Sequence, residues 1–197
     1  FAFHPLLLTS YALLLVFLLP GYLSMLPYGY KRTVFLVFSL ITALAPAVFV
    51  LLMYQMRVIE SFYLKQRRER LFPLITAVIF YISAFVMAIR FPVDLPQLVL
   101  LILLTGTLCT VVSLLLNFLL KVSLHAVGLA AFISFFTGYV FLFQVNAVFF
   151  IGLLVLIAGF TAAARLYLSA HKPAEIYIGF AAGILTGIIP FLLELHS

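Results

Sequence analysis

The charges of this chain fall in short stretches that separate long apolar runs, and this spacing restricts the fold more than any single motif. Breaking the sequence at charges and at Pro/Gly clusters leaves apolar segments near 5–27, 33–56, 71–90, 97–119, 124–143, 147–164 and 176–195. A helical crossing of a bilayer takes roughly 20 apolar residues, so each segment approaches or exceeds the length of one span. With 67% of the residues hydrophobic and 8% charged, too little polar surface is left to clothe a soluble domain. A membrane β-barrel would alternate apolar and polar positions along every strand, whereas 98–104 contains no polar residue. The expected fold is therefore all-α, a polytopic transmembrane helical bundle of six to seven spans, forming a single integral membrane domain over residues 1–197. No basic stretch precedes the first apolar run, and no removable signal peptide is expected.

Pro20, Pro46 and Pro190 lie inside apolar segments, which predicts kinks or helix ends there. Small residues line the last two segments (Gly152, Gly159 and Ala162 in one, Gly179, Gly183 and Gly187 in the other), so these two helices are expected to pack against each other. Connections between spans alternate sides of the membrane. On one side fall the N-terminus, 57–70, the turn at Lys121 and 165–175; on the other fall 28–32, 90–97, 144–146 and the C-terminus. Arg57, Lys65, Arg67, Arg68, Arg70, Lys121, Arg165 and Lys172 then share the first side, eight of the eleven cations.

Three basic clusters, distant in sequence, meet on that side: Lys65 through Pro73, Lys121 through His125, and Arg165 through Glu175. Lys121 and His125 are four residues apart, as are His171 and Glu175, so each pair shares a face if helical. A carboxylate that accepts a hydrogen bond from one imidazole nitrogen fixes the tautomer and leaves the other nitrogen free to attack, the arrangement of a histidine nucleophile. Guanidinium and ammonium groups beside it suit an anionic target. Phosphoryl transfer needs such charge on the equatorial oxygens and an acid for the departing oxygen.

The third cluster, Ala164-Arg165, five residues, His171, three residues, Glu175, resembles the last signature of the type 2 phosphatidic acid phosphatase family, Ser-Arg-x5-His-x3-Asp. Val122-Ser123-Leu124-His125 is similar to that family's Pro-Ser-Gly-His, and the stretch from Lys65 to Pro73 to its Lys-x6-Arg-Pro, with Arg70 or Arg68 standing in for the displaced arginine. The resemblance covers about 60–185 and is to a divergent member. It implies a metal-independent lipid phosphatase that works through a phosphohistidine, on a phosphate monoester or diphosphate such as a polyprenyl diphosphate or a phosphatidyl phosphate. His171 would be the nucleophile, Glu175 its orienting acid, His125 the general acid and Arg165 the phosphate clamp. Lys65, Arg70, Lys121 and Ser123 would complete the phosphate site. The alternative is a non-catalytic lipid-phosphate-binding or scaffold protein of the same descent, since Leu124 replaces a glycine and Glu175 is one methylene longer than Asp.

Taken alone, 65–70 reads as a juxtamembrane basic loop facing anionic lipids. Asn117 reads as a helix-to-helix hydrogen bond, and His4 and His196 as terminal residues exposed to water. No cofactor is expected: the histidines lack a His-Glu-x-x-His pattern, Cys109 is the single cysteine and Asp94 the single aspartate, which leaves no zinc set and no Asp-rich magnesium motif. The partners expected are the bilayer and a membrane lipid substrate, with no nucleic acid, and the composition sets no oligomeric state. The resemblance suggests a bacterial inner membrane. The positive-inside rule puts the cationic face in the cytoplasm, whereas many bacterial members of the family act at the outer face.

Overall fold

The computed structural model describes residues 4–61, 67–91 and 94–194, and among them the chain is helical with no strand. Helix α1 (Pro5–Leu18) is followed by α2 (Tyr28–Gln55), α3 (Leu71–Ile89), α4 (Gln97–Leu119), α5 (Leu124–Phe143), α6 (Val148–Tyr167) and α7 (Pro173–Glu194). Six of these, α2 to α7, are long and apolar enough to cross a membrane. The protein is thus an integral membrane helical bundle, because in hydrocarbon only a helix satisfies its own backbone polar groups within one segment.

The first apolar segment departs from one long span. Its helix stops at Leu18, Pro20 and Gly21 turn the chain, and a short 3₁₀ turn (Tyr22–Met25) precedes α2. Helix α1 is 14 residues long and buries Leu13 and Val16 completely, so it is held by the bundle and not by matching the bilayer thickness. Pro46 leaves α2 continuous but relaxes it: proline offers no N–H to the carbonyl of Thr42, and the five residues Leu40–Leu44 widen into a π-helical turn. The hydroxyl of Thr42 donates back to the carbonyl of Phe38 at 2.7 Å within this widened stretch.

The expectation that the last two helices pack together is overturned. Helix α7 packs most extensively on α5, and α6 lies to one side with little of its surface covered. The reason is where the small residues point. A Cβ on Gly183 would strike the Val127 carbonyl, and one on Gly187 the Ala131 carbonyl, so these glycines let the α7 backbone lie directly on α5. A Cβ at Gly152 or Gly159 on α6 would meet nothing within 4 Å. The hydroxyl of Ser134 closes the α5–α7 seam by donating to the Ile184 carbonyl at 2.9 Å. Elsewhere the hydroxyls of Thr9 and Tyr81 join α1 to α3 at 3.0 Å, and Thr107 on α4 reaches the Tyr81 carbonyl at 3.2 Å.

Contacts between connections sort the two ends of the bundle. At one end the Lys31 ammonium donates to the Ser24 carbonyl at 2.8 Å and the Tyr30 hydroxyl to the Asp94 carbonyl at 3.2 Å. At the other, Arg67 donates to the Leu119 carbonyl at 3.0 Å and Lys121 to the Ala170 carbonyl at 3.5 Å. These contacts put 67–70, 119–121 and 165–170 at one end and 24–31 with Asp94 at the other, as the alternation of spans expects for those connections; the C-terminus lies outside the described residues.

Candidate active site

The second end holds the candidate site, and every element that reaches it does so by its terminus. Arg70 stands at the start of α3, Lys121 to Ser123 link α4 to α5, His125 lies in the first turn of α5, Arg165 in the last turn of α6, and Glu175 in the first turn of α7. Two of these placements suit the helix dipole, which favours a cation at a C-terminus (Arg165) and a carboxylate at an N-terminus (Glu175). Pro173 opens α7, where a missing N–H costs nothing.

The turn between α6 and α7 sets the nucleophile candidate. Ser169 adopts a left-handed conformation (φ 51°). Its N–H donates to the Leu166 carbonyl at 2.9 Å and that of Ala170 to the Arg165 carbonyl at 3.0 Å. This is the paired closure of a Schellman motif, with serine where glycine is usual. Neither i,i+4 pair lies within a helix, since His171 is in the bend before Pro173 and Lys121 in the link before α5, but Nδ1 of His171 still lies 2.7 Å from Oε2 of Glu175 across the helix start. The same carboxylate oxygen accepts from the Lys172 N–H at 3.3 Å. The His171 side chain is 6% exposed and that of Glu175 is 20% exposed, so the pair is shielded from bulk water. Burial lowers the pKa of His171 below the ordinary histidine value, reinforced by the cations Arg70 and Lys121 and opposed by Glu175.

A backbone bond from the Ser123 N–H to the Glu175 carbonyl, 3.3 Å, ties the start of α5 to the first turn of α7 and brings His125 to the same site. One guanidinium nitrogen of Arg165 lies 2.7 Å from Nε2 and 3.1 Å from Nδ1 of His125. Arg70 is buried, donates to the Val122 carbonyl at 3.0 Å, and acts electrostatically on His171, with Glu175 and Arg165 within its own range. Lys121, besides holding the Ala170 carbonyl, also acts on His171. The residues His171, Glu175, His125, Arg165, Arg70 and Lys121 are therefore one cluster built from three stretches of sequence. Ser123 is at the site but buried, and its hydroxyl accepts from the Ala126 N–H at 3.4 Å as the cap of α5. Lys65 and His196 lie outside the described residues. Asn117 bonds the Arg67 carbonyl at 3.2 Å, linking α4 to the turn before α3.

His4 is exposed, as expected of a terminal residue, but it also stands beside the site. Its imidazole meets that of His125 edge to face with centroids 5.8 Å apart, while its Nδ1 accepts from the Leu6 N–H at 3.4 Å to cap α1. The signal was present in the assignment of the N-terminus to the same membrane side as the three clusters. Among the described residues no three His, Cys, Asp or Glu side chains converge as a metal-binding set. In comparison with known proteins, no family model, curated protein or solved structure gave a significant match to this chain.

Proposed function

We propose that the protein is a lipid phosphatase that hydrolyses a phosphate monoester or diphosphate of a membrane lipid through a phosphohistidine. The single observation that supports this most is the shielded His171–Glu175 pair at 2.7 Å, set among Arg70, Lys121, Arg165 and His125. With Nδ1 engaged by the carboxylate, Nε2 of His171 carries the free lone pair. A lowered pKa keeps that lone pair unprotonated near neutrality. In the first step Nε2 attacks phosphorus and the bond from phosphorus to the lipid oxygen breaks; His125, neutral while it accepts from Arg165, takes up a proton from water once the phosphate draws Arg165 away and passes it to the departing alkoxide or phosphate. Water then attacks the phosphohistidine, giving its proton to His125 and releasing inorganic phosphate and free His171. Arg165 and Arg70 neutralise the equatorial oxygens throughout, and the N-terminus of α5 adds backbone donors for the anion. The test is phosphate release from detergent-solubilised phosphatidic acid and from a polyprenyl diphosphate, with chelator present. The wild type should turn over at least one, and His171→Ala should lose roughly a hundredfold or more; no release from either substrate overturns the reading.

A binding protein without turnover is the second reading, favoured by Ser123. Its hydroxyl is engaged in capping α5 and is buried, which removes it from the donors open to an anion. Saturable binding of phosphatidic acid with no release of phosphate would select it.

A further inference from the structure

The last turn of α4 carries one polar side chain, Asn117, in the run Leu114–Leu120. It is 4% exposed. In so apolar a setting a buried amide is costlier than a leucine of similar size unless its hydrogen bonds are made. Its partner is a connection, where the sequence alone suggested another helix: Nδ2 donates to the Arg67 carbonyl at 3.2 Å.

That carbonyl has a second donor. The Arg70 N–H reaches it at 3.3 Å and closes the 3₁₀ turn Arg68–Arg70. Two further ties run between the same stretches, from Nη1 of Arg67 to the Leu119 carbonyl at 3.0 Å and from Nη1 of Arg70 to the Val122 carbonyl at 3.0 Å. Val122 precedes Ser123, whose N–H bonds the Glu175 carbonyl at 3.3 Å, so a chain of hydrogen bonds leads from Asn117 to the His171–Glu175 pair. Arg67 is exposed, and water competes for its guanidinium. The amide of Asn117 is shielded and holds its bond without that competition.

We infer that Asn117 is a positioning residue of the anion site: through the Arg67 carbonyl it fixes the turn that brings Arg70 to the His171–Glu175 pair. For its effect on turnover this rests on the proposed phosphatase, whereas the placement of Arg70 is a property of the resting protein. Arg70 lowers the pKa of His171, and the other charged or titratable groups acting between these elements are Glu175, Lys121 and His125. Asn117 has no charge of its own, so replacing it alters this balance only by moving one of those groups.

Asn117→Leu removes the donor at nearly constant volume. With isotope-labelled histidine the four imidazoles can be titrated by NMR in detergent, and His171 is identified by the signal lost in His171→Asn. Its midpoint should rise in Asn117→Leu, because a displaced Arg70 opposes protonation less. In an Arg70→Met background the same substitution should leave the midpoint where it is. No rise in the first background, or an equal rise in the second, overturns the inference. Asn117→Ser gives the same readings if the leucine variant fails to fold, since a serine hydroxyl turns back to the Ser113 carbonyl and falls short of Arg67. Turnover supplies a second measurement: kcat/KM for phosphatidic acid should fall roughly threefold to tenfold in Asn117→Leu, and by no more than about twofold in the Arg70→Met background. Equal falls in the two backgrounds overturn the inference. A raised midpoint that depends on Arg70, without phosphate release from any substrate, keeps the positioning role and removes only the phosphatase reading.

Discussion

Nη2 of Arg165 reaches both ring nitrogens of His125, at 2.7 Å and 3.1 Å, and so joins the end of α6 to the start of α5 across forty residues of sequence. A guanidinium has no lone pair to offer, so this contact requires an accepting nitrogen on a neutral imidazole. A phosphate group competes for the same guanidinium, because a bidentate anion contact is stronger than one to a neutral ring. Substrate binding would therefore draw Arg165 away from His125 and free the imidazole for proton transfer.

Arg165→Ala should accordingly raise KM for a lipid phosphate and lower kcat. Loss of a hydrogen bond to a charged group amounts to about 1.5–3 kcal/mol, or roughly 10-fold to 150-fold in kcat/KM. Arg165→Lys should recover only part of this, since an ammonium cannot form the planar fork. Steady-state kinetics on both variants check the expectation, and full recovery by lysine would show that charge alone matters.

The pKa of His171 predicts the acid limb of the pH profile. Burial, Arg70 and Lys121 all lower it, so activity should persist below the ordinary histidine value of 6.5 and fall only as the folded-state pKa is passed. Lys121→Met removes a cation and should move the limb to higher pH. Glu175→Gln removes the group that raises the pKa and should move it to lower pH. Movement of both limbs in one direction would contradict the geometry.

Stability follows the same linkage. An unfolded His171 takes up a proton near pH 6.5 that the folded one resists, so its contribution is present above that pH and is lost as pH falls through the folded value. Thermal unfolding in detergent between pH 8 and about 5 should show this decline, and His171→Asn should flatten it.

Packing of α7 on α5 predicts a contrast between two glycines. Gly183→Ala drives a methyl into the Val127 carbonyl and the Ala130 side chain and should cost about 1–3 kcal/mol. Gly152→Ala, facing open space, should leave the melting temperature unchanged or slightly raised. Equal losses would mean that α6 is packed as closely as α7.

The sharing of one membrane side is tested by labelling. In a Cys109→Ala background, Arg68→Cys and Lys172→Cys should react with an impermeant thiol reagent from the same side, and Gln144→Cys from the opposite one. Labelling of the first two from different sides would separate the clusters and dismantle the site.

Much of this was legible in the sequence because a bilayer leaves few solutions. Apolar runs of span length must be helices, and alternation of their connections places the segments around Arg70, Lys121 and Arg165 together without any knowledge of packing. The pairing of His171 with Glu175 is likewise local, although it is made across the start of α7 at Pro173 and not along a helix face. What depends on neighbours in space was not legible. The glycines of α6 and α7 look alike in sequence, yet only those of α7 face a carbonyl row, because which face of a helix is turned inward is decided by its partners. The same holds for His4, whose place against His125 depends on how α1 enters the bundle. The chain alone therefore determined the helices from α2 onward, their order and the end of the bundle at which the charged groups gather. The tertiary structure decided which helices touch, since helices that all present apolar surface are matched by shape and close backbone approach, not by hydrophobicity.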